Sequence, residues 1–182
     1  MRLKSLPFLI SLVLLASLIA LLPILFNIQE SVSVNSALIG LFPGFGLGLV
    51  LATCSYEQQA AAKGLLFVPL ASLLGMAMAI LCWVLALIVG PKPLLLALGY
   101  GAVNVFGALV FFALVRKVYA TKVASRKTLP AACASAAPAL MLLFFPLTLL
   151  MHGVISALWV ACVGVGIVRV SGRRKRNVQV KI

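Results

Sequence analysis

An all-helical integral membrane protein, crossing the bilayer six times with both termini cytoplasmic, is the fold class this sequence predicts. Three features predict it. Apolar residues make up 64% of the chain and only two acids, Glu30 and Glu57, occur in 182 residues, which lies outside the soluble globular range. Six apolar runs each approach the roughly twenty residues a helix needs to cross about 30 Å of hydrocarbon. If all six cross, fourteen of the fifteen Lys and Arg fall on one side: Arg2, Lys4, Lys63, the five from Arg116 to Lys127 and the six from Arg169 to Lys181. Lys92 alone falls on the other. Cytoplasmic segments retain positive residues, so the net charge of +13 reads as orientation and as attraction to anionic lipid head groups. Nucleic acid is not expected as a partner.

The predicted spans are 6–26, 37–54, 64–90, 94–115, 131–150 and 154–170, in a single domain ending in a basic cytoplasmic tail over 171–182. The first run has cations ahead of it, like a signal peptide. Its apolar core is too long for a signal h-region and no A-x-A-like site follows promptly, so an uncleaved span is expected. The second, Ala37 to Cys54, is short, glycine-rich and interrupted by Pro43. A re-entrant loop there would reverse every later crossing and move the Arg116–Lys127 cations outside, which the charge pattern opposes.

Ser55 and Gln58 fit a capping box at the start of the third helix. Pro91-Lys92-Pro93 forms a tight outer link, since proline cannot continue a helix. As one helix, Ala131 to Val170 would be about 60 Å long, twice the membrane. It must turn back, and Met151-His152-Gly153 is the predicted turn, with Gly153 supplying backbone freedom. Glu30 belongs to the polar outer connection Asn27 to Ser36, and Glu57 to a hydrated helix start. No internal repeat stands above the general Val, Leu and Ala richness.

Gly40, Gly44, Gly48 and Ala52 recur every four residues and line one helix face. Small residues let backbones approach closely where no water drives association, so this stripe is expected to be a packing seam. Similar spacings occur at Ala71, Gly75 and Ala79; at Ala131, Ser135 and Ala139; and at Gly153, Ala157 and Ala161.

Polar groups inside hydrocarbon are costly and normally face a partner or a cavity. No acid, Lys or Arg lies in the interior of a predicted span, which weakens any mechanism needing an intramembrane carboxylate. Tyr100 and Asn104 remain on one face of the fourth helix at i, i+4, with Ser72, Thr148 and Ser156 elsewhere. Asn104 is expected to point inward, because lipid satisfies neither its donors nor its acceptor. The pair either hydrogen-bonds a neighbouring helix or lines a small ligand pocket. Pro43, Pro69, Pro138 and Pro146 are expected to kink their helices.

Enzymatic constellations are missing. His152 is the sole histidine and is expected to be a solvent-facing turn residue. Cys54, Cys82, Cys133 and Cys162 show no C-x-x-C spacing and read as free thiols. No nucleotide-binding, hydrolase or metal motif occurs, so no catalytic residue, metal or cofactor is expected. Arg173, Arg174, Lys175 and Arg176 form the strongest electrostatic feature, suited to lipid head groups or a cytoplasmic partner.

The size, the six runs and Ala16-x-x-x-Ala20 on the first helix are similar to the substrate-binding subunits of energy-coupling-factor vitamin transporters. In that family small residues on the first helix contact the coupling subunit. The sequence departs from it in lacking a cluster of polar outer-side residues for a vitamin, so no binding residue is carried over.

The expected function is that of an accessory or structural subunit of a transport or envelope assembly in the cytoplasmic (inner) membrane. It would work by close helix packing with other membrane subunits or with itself. The alternatives are a binding or facilitative transport component for a small neutral or apolar solute, and an immunity or sensing protein that recognises another membrane protein.

Overall fold

The computed structural model describes residues 6–19, 41–48, 58–119 and 125–171. Among them every regular element is helical: α1 (Leu6–Ile19), α2 (41–48), α3 (Gln58–Val89), α4 (Pro93–Tyr119), α5 (Ser125–Ala134), a 3-10 helix (Ala137–Leu143) and α6 (Leu149–Ser171). Among the described residues three stretches are long and apolar enough to cross a membrane: Leu66–Val89, Pro93–Val118 and Leu150–Ile167.

The hairpin of α3 and α4 follows directly from its residues. Gly90 ends α3 at φ 65°, a left-handed conformation that costs a Cβ-bearing residue but not glycine. Its N–H donates to the Ala86 carbonyl at 3.0 Å, closing the last turn. Pro91 cannot continue the helix, and Pro93 opens α4, where a missing N–H costs nothing. The Lys92 carbonyl accepts the first α4 bond from Leu96 at 3.0 Å. Both helices outrun the predicted 64–90 and 94–115 at their cationic ends, where Lys63, Arg116 and Lys117 are exposed. Backbone bonding carries a helix past the end of its apolar run.

The second hairpin corrects the sequence reading. The chain does not turn at Met151-His152-Gly153, which lies inside α6; it turns over 144–148. Pro146 has no N–H to donate and disfavours α geometry at Phe145. Thr148 then starts α6. Its hydroxyl accepts from the Met151 N–H at 3.2 Å and its carbonyl from the His152 N–H at 2.9 Å, an N-cap arrangement.

The predicted 131–150 span is likewise two pieces. Pro138 would press its ring on the Ala134 carbonyl and leave it without a donor, and α5 ends at Ala134. Ser135 N–H is shared between the Ala131 and Ala132 carbonyls, both at 3.1 Å. The 3-10 helix rises about 2 Å per residue, so the apolar stretch Thr128–Leu143 reaches about 28 Å with few residues.

The two connections lie at one end of the bundle: Gly90 and Pro91 share an apolar surface depression with Phe144 and Pro146. Lys92 is therefore at that end. The α3 start, the α4 end and the first turn of α5 lie at the other, with Lys63, Arg116, Lys117, Arg126 and Lys127.

Side chains sort by size across α3. Leu66, Leu70, Leu73, Ile80, Leu81, Val84 and Leu87 face outward, while Phe67, Ala71, Gly75, Met78, Ala79 and Cys82 face the bundle. Ala71, Gly75 and Ala79 allow close helix approach on the inner face, Phe67 and Met78 fill the space beside them, and the large apolar groups outside suit lipid as solvent. Phe67 meets Phe111 of α4 edge to face, centroids 5.4 Å apart, and both are buried.

A Cβ on Gly44 would fall on the Ala71 carbonyl and 2.7 Å from the Ser72 Cα, and one on Gly48 would lie 2.8 Å from the Val68 Cα. Between these, Gly46 faces α1, where its Cβ would lie 2.9 Å from the Ala16 carbonyl oxygen. So α2 is wedged between α1 and α3, with Gly44 and Gly48 on its α3 side. Gly40, Ala52, Cys54, Ser55 and the Arg173–Arg176 cluster lie outside the described residues.

Candidate functional site

The densest buried polarity lies between α4 and α6. Asn104 contributes its backbone first: its carbonyl accepts from the Trp159 indole N–H at 3.0 Å and from the Ser135 hydroxyl at 3.1 Å. Ser135, fully buried, sits where α5 gives way to the 3-10 helix, and its hydroxyl also reaches the Ala132 carbonyl at 2.6 Å. One carbonyl thus joins three segments, α4, the α5 break and α6.

Beside this junction is a small, partly open cavity of about 30 Å³. Tyr100 and Asn104 line it from α4, and His152, Ser156 and Trp159 from α6. Their spacings explain the convergence: 100 and 104 are one turn apart, and 152, 156 and 159 fall at i, i+4 and i+7 on one face. Cys82, Met78 and Gly75 close it from α3, and Pro43 from α2.

His152 is 4% exposed and Asn104 8%, so the sole histidine is not the solvent-facing turn residue its neighbours suggested. Burial follows from the turn's true position at 144–148, which puts residue 152 inside α6. The Tyr100 hydroxyl and His152 Nδ1 are 3.3 Å apart in a hydrogen bond whose direction follows the imidazole tautomer, and the rings meet edge to face. His152 Nε2 and Asn104 Nδ2 are buried and, among the described residues, meet no hydrogen-bonding group.

The remaining polar residues have local roles. Ser72 returns its hydroxyl to the Val68 carbonyl of its own helix at 2.9 Å. Cys82 is buried, Cys133 exposed and Cys162 intermediate, all free. Among the described residues no group of three or more His, Cys, Asp or Glu is placed to hold a metal. Chemically, the cavity is a neutral site, with a carboxamide, an imidazole and a phenol set among apolar walls. Sequence reasoning found Tyr100 and Asn104; it missed His152, Ser135 and Trp159, although the 152, 156, 159 spacing was a readable signal.

Comparison with known proteins finds no matching family model, no matching curated protein and no matching solved structure.

Proposed function

We propose that this chain is a six-span protein of the cytoplasmic membrane, with its cation-bearing end inside, that acts as an accessory or structural subunit by packing against other membrane helices. The observation that carries the reading is an open groove of about 340 Å³ along the α5–α6 pair, lined by Ala131, Ala134, Ala161 and Val165 among others. Small residues on an outer face leave room for a foreign helix backbone to come close. The outer faces of α3 and α4 carry Leu, Ile and Phe with single alanines among them, at Ala77, Ala102 and Ala113.

The interior supports the same reading by its fullness. Pockets for ordinary small molecules run to about 300–1,000 Å³, whereas the Tyr100/Asn104 cavity is about 30 Å³. A vitamin-sized solute has no room there.

A photocrosslinking residue placed at Ala134, with Leu87 as control, tests this in the native membrane. Adducts to a second copy or to another membrane protein are expected from position 134 and not from position 87. Equal labelling from both positions, or none beyond lipid from either, with the purified protein monomeric in nanodiscs, defeats the reading.

A further inference from the structure

We propose that the cavity between α4 and α6 is a hydration site, holding one or two water molecules that bridge Asn104 Nδ2 and His152 Nε2 in the apolar interior of the bundle. This inference does not depend on what occupies the outer groove.

Size comes first. A water needs about 10–15 Å³ of probe-occupied space, so a cavity of about 30 Å³ has room for the one or two proposed. Chemistry comes second. Purely apolar cavities of this kind stay dry, whereas a site offering two to four polar partners retains water. Here the partners are the Asn104 amide, with two N–H donors, and the imidazole nitrogen His152 Nε2, neither matched by any group among the described residues. The Tyr100 hydroxyl holds the opposite imidazole nitrogen at 3.3 Å, which fixes the ring so that Nε2 is the atom left over. The Ser156 side chain also borders the space.

Water suits either imidazole tautomer, accepting from Nε2–H or donating to bare Nε2. A carboxamide and an imidazole left unpaired in hydrocarbon would each carry a desolvation penalty, and water removes both. Ions are the wrong occupant. Among the described residues no Lys, Arg, Asp or Glu lines the cavity; its walls from α2 and α3 are Pro43, Gly75, Met78, Ala79 and Cys82, and a charge buried without a counter-charge is far costlier than a neutral dipole. The α4–α6 contact is therefore partly water-mediated beside the direct Trp159 bond.

His152 being the sole histidine makes a single-site experiment available. The full chain, labelled with nitrogen-15 only at histidine, is placed in lipid bilayers, and solid-state NMR measures polarisation transfer from water protons to the imidazole. Transfer to Nε2 is expected in the wild type, falling at least several-fold in Ala79→Leu, which fills the cavity without removing a polar partner, and partially in Asn104→Leu. No transfer in the wild-type protein overturns the proposal without recourse to any variant. Undiminished transfer in both folded variants also overturns it, because water would then be reaching His152 by another route.

Discussion

At Gly44 the effect of a single methyl group is decided by what it would strike. A Cβ there meets the Ala71 backbone carbonyl, and backbone cannot rotate away as a side chain can, so α2 and α3 must separate. Gly44→Ala is expected to destabilise by about 1–3 kcal/mol. Gly101 is the internal contrast: the nearest atom to a Cβ there is the Ala136 Cβ at 3.5 Å, ordinary contact. Gly101→Ala should be neutral or gain up to about 1 kcal/mol of helix propensity. Reversible unfolding in mixed detergent micelles measures both, and equal effects at the two positions would refute the close-approach account.

The same scale governs the Asn104 carbonyl, where Trp159 and Ser135 donate to one oxygen. With either donor removed the other still serves it. Trp159→Phe and Ser135→Ala are each expected to cost about 0.5–1 kcal/mol, and the double variant more than their sum. Strict additivity in the double-mutant cycle would show that the two bonds do not share an acceptor.

At the scale of elements, sequence was legible where local signals agreed. The α3–α4 hairpin announces itself through two long apolar runs, a glycine and a Pro-Lys-Pro link, and it forms with that link in place. The α5–α6 region offered competing signals. Gly153 suggested a turn by its freedom, yet glycine only permits a turn, whereas Pro146 removes a helix donor and disfavours α geometry at Phe145, and Thr148 caps the next helix. Weighting permission above prohibition displaced the turn by several residues and carried His152 to the wrong environment. The cavity was half legible for a related reason. Spacing along α4 puts Tyr100 and Asn104 on one face, but which face of α6 meets them depends on a register that only three-dimensional packing supplies. Gly90 gives this scale its prediction: φ 65° with open space around a Cβ means that strain alone sets the cost. Gly90→Ala should lose about 1–2 kcal/mol, and Gly90→Asn distinctly less, since Asn tolerates that region. Unfolding midpoints of the two variants check the order, and Asn costing as much as Ala would contradict it.

For the whole molecule, the arrangement of cations turns geometry into an orientation. Lys63, Arg116 and Lys117 lie at one end of the α3–α4 hairpin and Lys92 at the other, beside the 144–148 turn. A transmembrane potential and an anionic inner leaflet both act on charge, and the orientation proposed above, with the richer end in the cytoplasm, is the one the retained-positive rule favours. Among the described residues Lys92, Arg116 and Lys117 are all exposed, so cysteines at those positions should be reachable once reagent is on the correct side. With the four native cysteines (Cys54, Cys82, Cys133 and Cys162) changed to alanine, Lys92→Cys is expected to react with a membrane-impermeant maleimide in intact cells. Arg116→Cys should react only after permeabilisation. The reverse pattern would invert the protein in the membrane while leaving every helix contact intact. Labelling of both from outside would mean that the hairpin does not cross at all, and the outward array of Leu and Ile on α3 would then need a protein partner instead of lipid to cover it.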